Sequence, residues 1–154
     1  MKKVGFITCQ KYASLDADEQ HLIAPFKRAG ITIIPLIWDA PIHYELYDLL
    51  VFRSAWDYHK KATAFKTWLT QLKTIKTPIY NPISLIEQNY NKYYLKQLQN
   101  KGFLVIPTLF FDNVEDINLS QIMQAQQWKK GVIKPVISMS AYHTYAFDQQ
   151  NCVG

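Results

Sequence analysis

The sequence predicts an α/β protein built on a parallel sheet, followed by a smaller α+β unit. Three observations predict it: β-rich apolar runs at residues 3–9, 31–37 and 49–52, helical periodicity around and after them, and a last stretch that alternates short apolar runs with turn residues. Strands interleaved with helices over about 75 residues read as a parallel sheet with helices packed on it. The boundary falls after Pro82, giving units at 1–82 and 83–154.

Residues 3–9 make the first strand, whose apolar part, Val4, Gly5, Phe6 and Ile7, is ended by Thr8, Cys9, Gln10 and Lys11. That apolar run is too short for a secretory signal despite Lys2 and Lys3 before it. After a polar loop, Asp16 or Asp18 caps a helix whose face is Leu22, Ile23 and Phe26, with Gly30 as its stop. Pro25 implies a kink or a late start there. The β-branched run 31–37 is a buried second strand, residues 38–41 a turn, 44–47 a short helical turn and 49–52 a third strand. A helix over about 60–75 turns Phe65, Trp68, Leu69, Leu72 and Ile75 inward.

Residues 78–82 are a short extended piece, and Pro82 opens a helix through Glu87. The spacing predicts a helix over 90–101 stopped by Gly102, then an edge strand over 104–111 interrupted by Pro107. Asn118 with Gln121 three residues on begins a further helix through Gln127. Residues 128–147 then read as two strands joined by a loop of small and polar residues.

The formal charge of +5, from 17 basic and 12 acidic residues, would suit an anionic ligand. The lysines are scattered without a long basic run, which argues against nucleic acid as partner; no apolar stretch approaches a membrane span. Cys9 and Cys152 lie far apart without metal-ligand spacing, so free thiols in the cytoplasm are expected. The four histidines show no paired spacing, and neither a Walker-type nor a dinucleotide glycine motif occurs.

Ligands of open parallel sheets gather beyond the carboxyl ends of the strands. Loops 9–18, 38–43 and 53–59 therefore share a rim. Arg53, Ser54, Trp56 and Asp57 follow the third strand directly. The arginine can grip a carboxylate or phosphate with two prongs, while Asp57 holds an amine or orients Arg53. The plainer reading is an Arg53–Asp57 ion pair closing the loop, with Trp56 and Tyr58 as packing. In the second unit Lys134 ends an apolar strand, where an unpaired charge needs solvent or an anion. The hydroxyls and backbone N–H groups of the loop after it can surround a polyphosphate. Lys92, close to a helix start, reads by itself as a solvated lysine.

Taken together, "FITCQKYASLDADEQ", "IIPLIWDAP", "DLLVFRSAWDY", "YNP", "NYNKYYLKQLQNKGFLVIPT" and "VIKPVISMSAYHTYAF" resemble, in order and separation, the N-terminal part of an ATP-grasp ligase. The branch is the glutathione-synthetase-like and O-ureido-serine cyclo-ligase-like one, and the resemblance covers nearly the whole chain. It implies a Rossmann-like pre-ATP-grasp domain followed by an incomplete ATP-grasp subdomain. It further implies that Lys92, Lys134, Ser138, Ser140, Ala141 and Thr144 contact ATP phosphates beneath a mobile lid at 138–144. Arg53, Ser54, Trp56 and Asp57 fall on the family's substrate-side loop. The implied chemistry activates a small-molecule carboxylate as an acyl phosphate for attack by an amine, with ATP and Mg2+ as cofactors. The family's adenine-binding hinge and magnesium ligands would lie beyond Gly154, so ligation by this stretch alone is not expected. The alternative is a non-enzymatic α/β module binding a small anion or a protein partner at the Arg53 rim. Apolar faces of the 132–147 hairpin left uncovered would favour a homodimer.

Overall fold

The computed structural model describes residues 1–151, apart from the side chain of Asp116; Cys152 and its expected free thiol lie outside them. The chain divides into two compact units, Met1–Asn89 and one that begins at Tyr90.

The first unit is a parallel sheet of β1 (Lys2–Thr8), β2 (Ile31–Ile37), β3 (Leu49–Ser54) and β4 (Ile79–Tyr80), in the order β2-β1-β3-β4. Period-two alternation gives the sheet two apolar faces, as a parallel sheet covered on both sides requires. On one, Val4, Phe6 and Leu15 form a core against Leu22, Phe26, Ile31, Ile33, Leu49 and Val51. On the other, Phe52 packs on Phe65 and Trp68 of α3 (Ala62–Leu72), whose Leu69 and Leu72 are also buried.

Between β1 and β2 the expected single helix is two. Asp16 caps α1 (Ala17–Gln20) with a reciprocal bond pair to Glu19, and α2 (Ile23–Arg28) starts anew after Leu22. Pro25 explains the break, because its missing N–H is tolerated only within the first turn of a helix. Gly30 then turns the chain at φ 77° into β2. The next helix, α4 (Ile83–Asn89), is tied to Lys73 through Glu87, 2.7 Å away.

Gly5 lies in β1 between β2 and β3: a Cβ there would overlap Leu36 Cδ1 and come within 2.8 Å of Leu50 Cδ2. Gly5→Ala therefore overpacks the sheet and lowers stability by about 1–3 kcal/mol. A urea titration checks it, with a lower midpoint and an unchanged slope expected.

The second unit holds α5 (Tyr94–Asn100), α6 (Leu119–Gln126) and an antiparallel hairpin of β5 (Lys130–Ile133) and β6 (Tyr145–Asp148). Two expectations are corrected here. Helix α5 starts at Tyr94, not residue 90, because Lys92 N–H donates to Val136 O at 2.9 Å and Tyr93 N–H to Asn91 Oδ1 at 3.0 Å. Those bonds give the backbone an alternative to a helical turn. Residues 104–111 form no strand. Pro107 lacks a donor, and β5 pairs with β6 alone, so the segment has no ladder to join. Leu104 and Ile106 stay exposed, while Phe110 stacks on Tyr93 at 4.7 Å. Asn118 caps α6 by accepting from Gln121 N–H at 3.0 Å, as its spacing predicts. No described helix is long and apolar enough to cross a membrane.

Candidate functional site

In the first unit the chain runs outward from β1 to β2, then returns past β1 to β3. The loops leaving β1 and β3 thus diverge at their carboxyl ends, where open sheets hold ligands. The β1–β3 register slips there: Ile7 faces Phe52, whereas Thr8 faces Ser54. Arg53 is the extra residue of the bulge, and bulges re-aim side chains.

Arg53 does not pair with Asp57. Its Nε donates to Glu19 Oε1 at 2.9 Å, and Ser54 Oγ donates to Glu19 Oε2 at 2.8 Å. Ser54 Oγ also lies 2.9 Å from Thr8 Oγ1, which donates to Tyr12 O. Glu19, Ser54 and Thr8 are buried, but the Arg53 side chain is 40% exposed, with its guanidinium carbon 5.8 Å from the Phe6 ring centre. Asp57 instead accepts from Trp38 Nε1 at 2.7 Å, a bond that ties the loop after β3 to the one after β2. Trp56 meets Tyr12 edge-on at 5.0 Å. Lys61 pairs with Asp39 on the same rim, which raises the lysine's pKa. Cys9 is a buried free thiol at the end of β1.

Reading by residue type missed Glu19 and Thr8. A signal for Glu19 was present: Asp16 followed three residues later by Glu is a capping-box spacing. Its second role is visible only once β3 lies beside β1.

In the second unit Lys92 and Lys134 line one large apolar-walled cavity with Val132, Val136 and Phe147. Lys92 Nζ donates to Ser138 O at 2.8 Å and Ser138 Oγ at 3.1 Å, fastening the hairpin loop to the start of the unit. Lys134 makes no hydrogen bond or ion pair among the described residues, and it is exposed. Ser138 is buried, whereas Ser140 and Ala141 are exposed and take left-handed conformations with His143, at φ 51°, 57° and 47°. Non-glycine residues adopt that region at a cost. The N–H groups of Tyr142 and Thr144 close turns onto Met139 O and Ala141 O, so both already have acceptors inside the loop.

Burial, and then the charge of Lys134, push the Lys92 pKa below its ordinary 10.5. The unfolded lysine keeps its proton over an interval in which the native one has lost it. Stability therefore rises with pH as it climbs through the depressed value toward 10.5. A carbon-detected titration of the lysine side chains is expected to place Lys92 below 10.5. Lys134→Met moves its midpoint upward, because a repelling charge is removed.

A family model described as the N-terminal domain of the D-cycloserine synthetase DcsG matches residues 4–81, half of the chain. The chain belongs to that family of DcsG N-terminal domains. The cycloserine biosynthesis protein DcsG of Streptomyces lavendulae is 27% identical over 95 residues, which take in 61% of this chain and 31% of that protein. A crystal structure of D-cycloserine synthetase DcsG matches at a TM-score of 0.81 and 19% identity. It covers 97% of this chain and 52% of that one, a likeness of fold. The chain thus spans about half the length of its solved relative.

Proposed function

We propose that this chain is the N-terminal portion of an ATP-dependent carboxylate–amine ligase, its second unit being the first part of an ATP-grasp domain. The observation that carries the reading is the convergence of Lys92 and Lys134 on one cavity, close enough for one charge to lower the other's pKa. Two like charges held together without an acidic partner form a place that an anion relieves. The cavity's apolar walls suit a nucleobase. Lys92 and Lys134 would hold the phosphates, with Ser138, Ser140, Ala141 and Thr144 in the loop over them. Bound ATP would supply the phosphoryl group that turns a carboxylate into an acyl phosphate for an amine to attack. Lys92 would then exchange its bonds to Ser138 for phosphate oxygens, and the loop would be released at its root.

Among the described residues no group of three or more His, Cys, Asp or Glu side chains could hold a metal ion. No step is assigned to magnesium. In the first unit Arg53, Ser54, Trp56 and Asp57 would face the small-molecule substrates, in keeping with a rim at the sheet's switch point. The buried thiol of Cys9 fits a cytoplasmic enzyme, and the exposed Val132 and Tyr145 of the hairpin would favour a homodimer.

Titration calorimetry with Mg-ATP, on this chain and on a form extended to the length of its relatives, tests the proposal. Binding that appears or strengthens in the longer form is expected. The negative charge of a bound anion favours the protonated form of Lys92, whose pKa is lowered by burial and by Lys134, so binding just below pH 10.5 takes up protons. No binding in either form would favour a non-enzymatic module that uses the Arg53 rim.

A further inference from the structure

We propose that Glu19 is a positioning residue that aims Arg53 at a singly charged, planar carboxylate at the switch point of the sheet. The inference rests on reading this rim as the substrate side. It adds the group that sets the arginine's direction and the class of anion the arginine takes.

Glu19 Oε1 takes Nε, and among the described residues no partner takes the terminal Nη1 and Nη2 groups. That leaves an outer two-pronged edge matched to the two oxygens of one carboxylate. The guanidinium also has a floor, since Phe6 lies under it at 5.8 Å, and a fixed root, since Arg53 is the bulged residue of β3. Glu19 cannot drift. It is 3% exposed, Ser54 Oγ holds its second oxygen, and Thr8 lies 2.9 Å from that hydroxyl. A donor pair set in place before the ligand arrives lowers the ordering cost of binding.

Charge decides between anions. Glu19 and Arg53 together are neutral, so an arriving carboxylate leaves one net negative charge while a phosphate dianion leaves two. Beside a buried Glu19 and an Arg53 side chain only 40% exposed, that difference works against phosphate. The buried carboxylate thereby serves twice, as an aiming device and as a filter against phosphate.

The test is a 15N-detected titration of the chain with acetate and with inorganic phosphate, followed at the Arg53 Nε–H signal and the Ser54 amide. Acetate is expected to shift both signals and to bind at least about threefold more tightly than phosphate. Arg53→Lys keeps the charge but loses the fork, and weakens acetate about tenfold. Two substitutions at position 19 separate aim from charge. Glu19→Gln keeps an oxygen within reach of Nε and retains acetate affinity within about threefold, whereas Glu19→Asp keeps the charge, shortens the reach and loses about tenfold. A purely electrostatic role predicts instead that Glu19→Gln, freed of a repelling charge, binds acetate more tightly than wild type and that Glu19→Asp binds it as wild type does.

Acetate that leaves the Arg53 signal unmoved in the wild-type chain overturns the proposal. So does an Arg53→Lys variant that binds acetate as well as wild type, or a Glu19→Asp variant that does. Mg-ATP is titrated on the same sample and read at the lysine ammonium signals. An acetate response without any nucleotide response, in this chain and in the extended form, keeps the carboxylate site and removes the ligase reading. A nucleotide response without acetate does the opposite.

Discussion

Replacing Phe65 with alanine lowers the stability of the first unit by about 3–5 kcal/mol. Phe65 is 1% exposed and sits in the middle of an aromatic cluster. Its ring centre lies 4.9 Å from Tyr58 in a stack, 5.3 Å from Trp38 edge-on, 5.7 Å from Trp68 and 6.0 Å from Phe52. Truncation opens a void among large rigid rings, which collapse poorly into vacated space. Trp38 is also the donor to Asp57, so the void loosens the bond between two rim loops. The expected result is a lower urea midpoint and a weaker near-ultraviolet tryptophan signal. Lys66→Ala, one residue along α3 and exposed, is expected to stay within about 0.5 kcal/mol of wild type.

The second large effect is on ligand binding. Lys134→Met in a form extended to the length of the relatives lowers Mg-ATP affinity between about tenfold and a hundredfold, the worth of one charge-assisted bond to a phosphate. This lysine separates binding from folding, because it makes no hydrogen bond or ion pair among the described residues. Removing it also relieves repulsion on Lys92, so the unliganded protein becomes no less stable. A variant that keeps its unfolding midpoint and loses nucleotide isolates the role of the amine. Lys92→Met could not do so, since it also releases Ser138 O and Oγ.

The sheet was legible because its strands announce themselves. Ile31 to Ile37 is β-branched and apolar, the run before it ends in Gly30, and Phe65, Trp68, Leu69 and Leu72 repeat at helical spacing. The Asn118 cap was legible for the same local reason. The misread stretches are those where distant residues decide. Tyr90 to Tyr93 have helical spacing, but Val136 takes the N–H of Lys92. Residues 104–111 have strand composition, but a strand exists only beside a partner. At the rim, Arg53 stood out by type and place, yet Asp57 four residues on was the nearest acid to it in sequence. Glu19, 34 positions earlier, reaches Arg53 only because β1 and β3 are neighbours.

Whether two ammonium groups share one polyphosphate is read directly in nitrogen-detected spectra of the lysine side chains. On adding Mg-ATP to the extended form, the Lys92 and Lys134 signals are expected to shift along one saturating curve while Lys66, exposed on α3, stays still. Nucleotide that saturates its site and leaves either of the two unmoved would contradict that sharing.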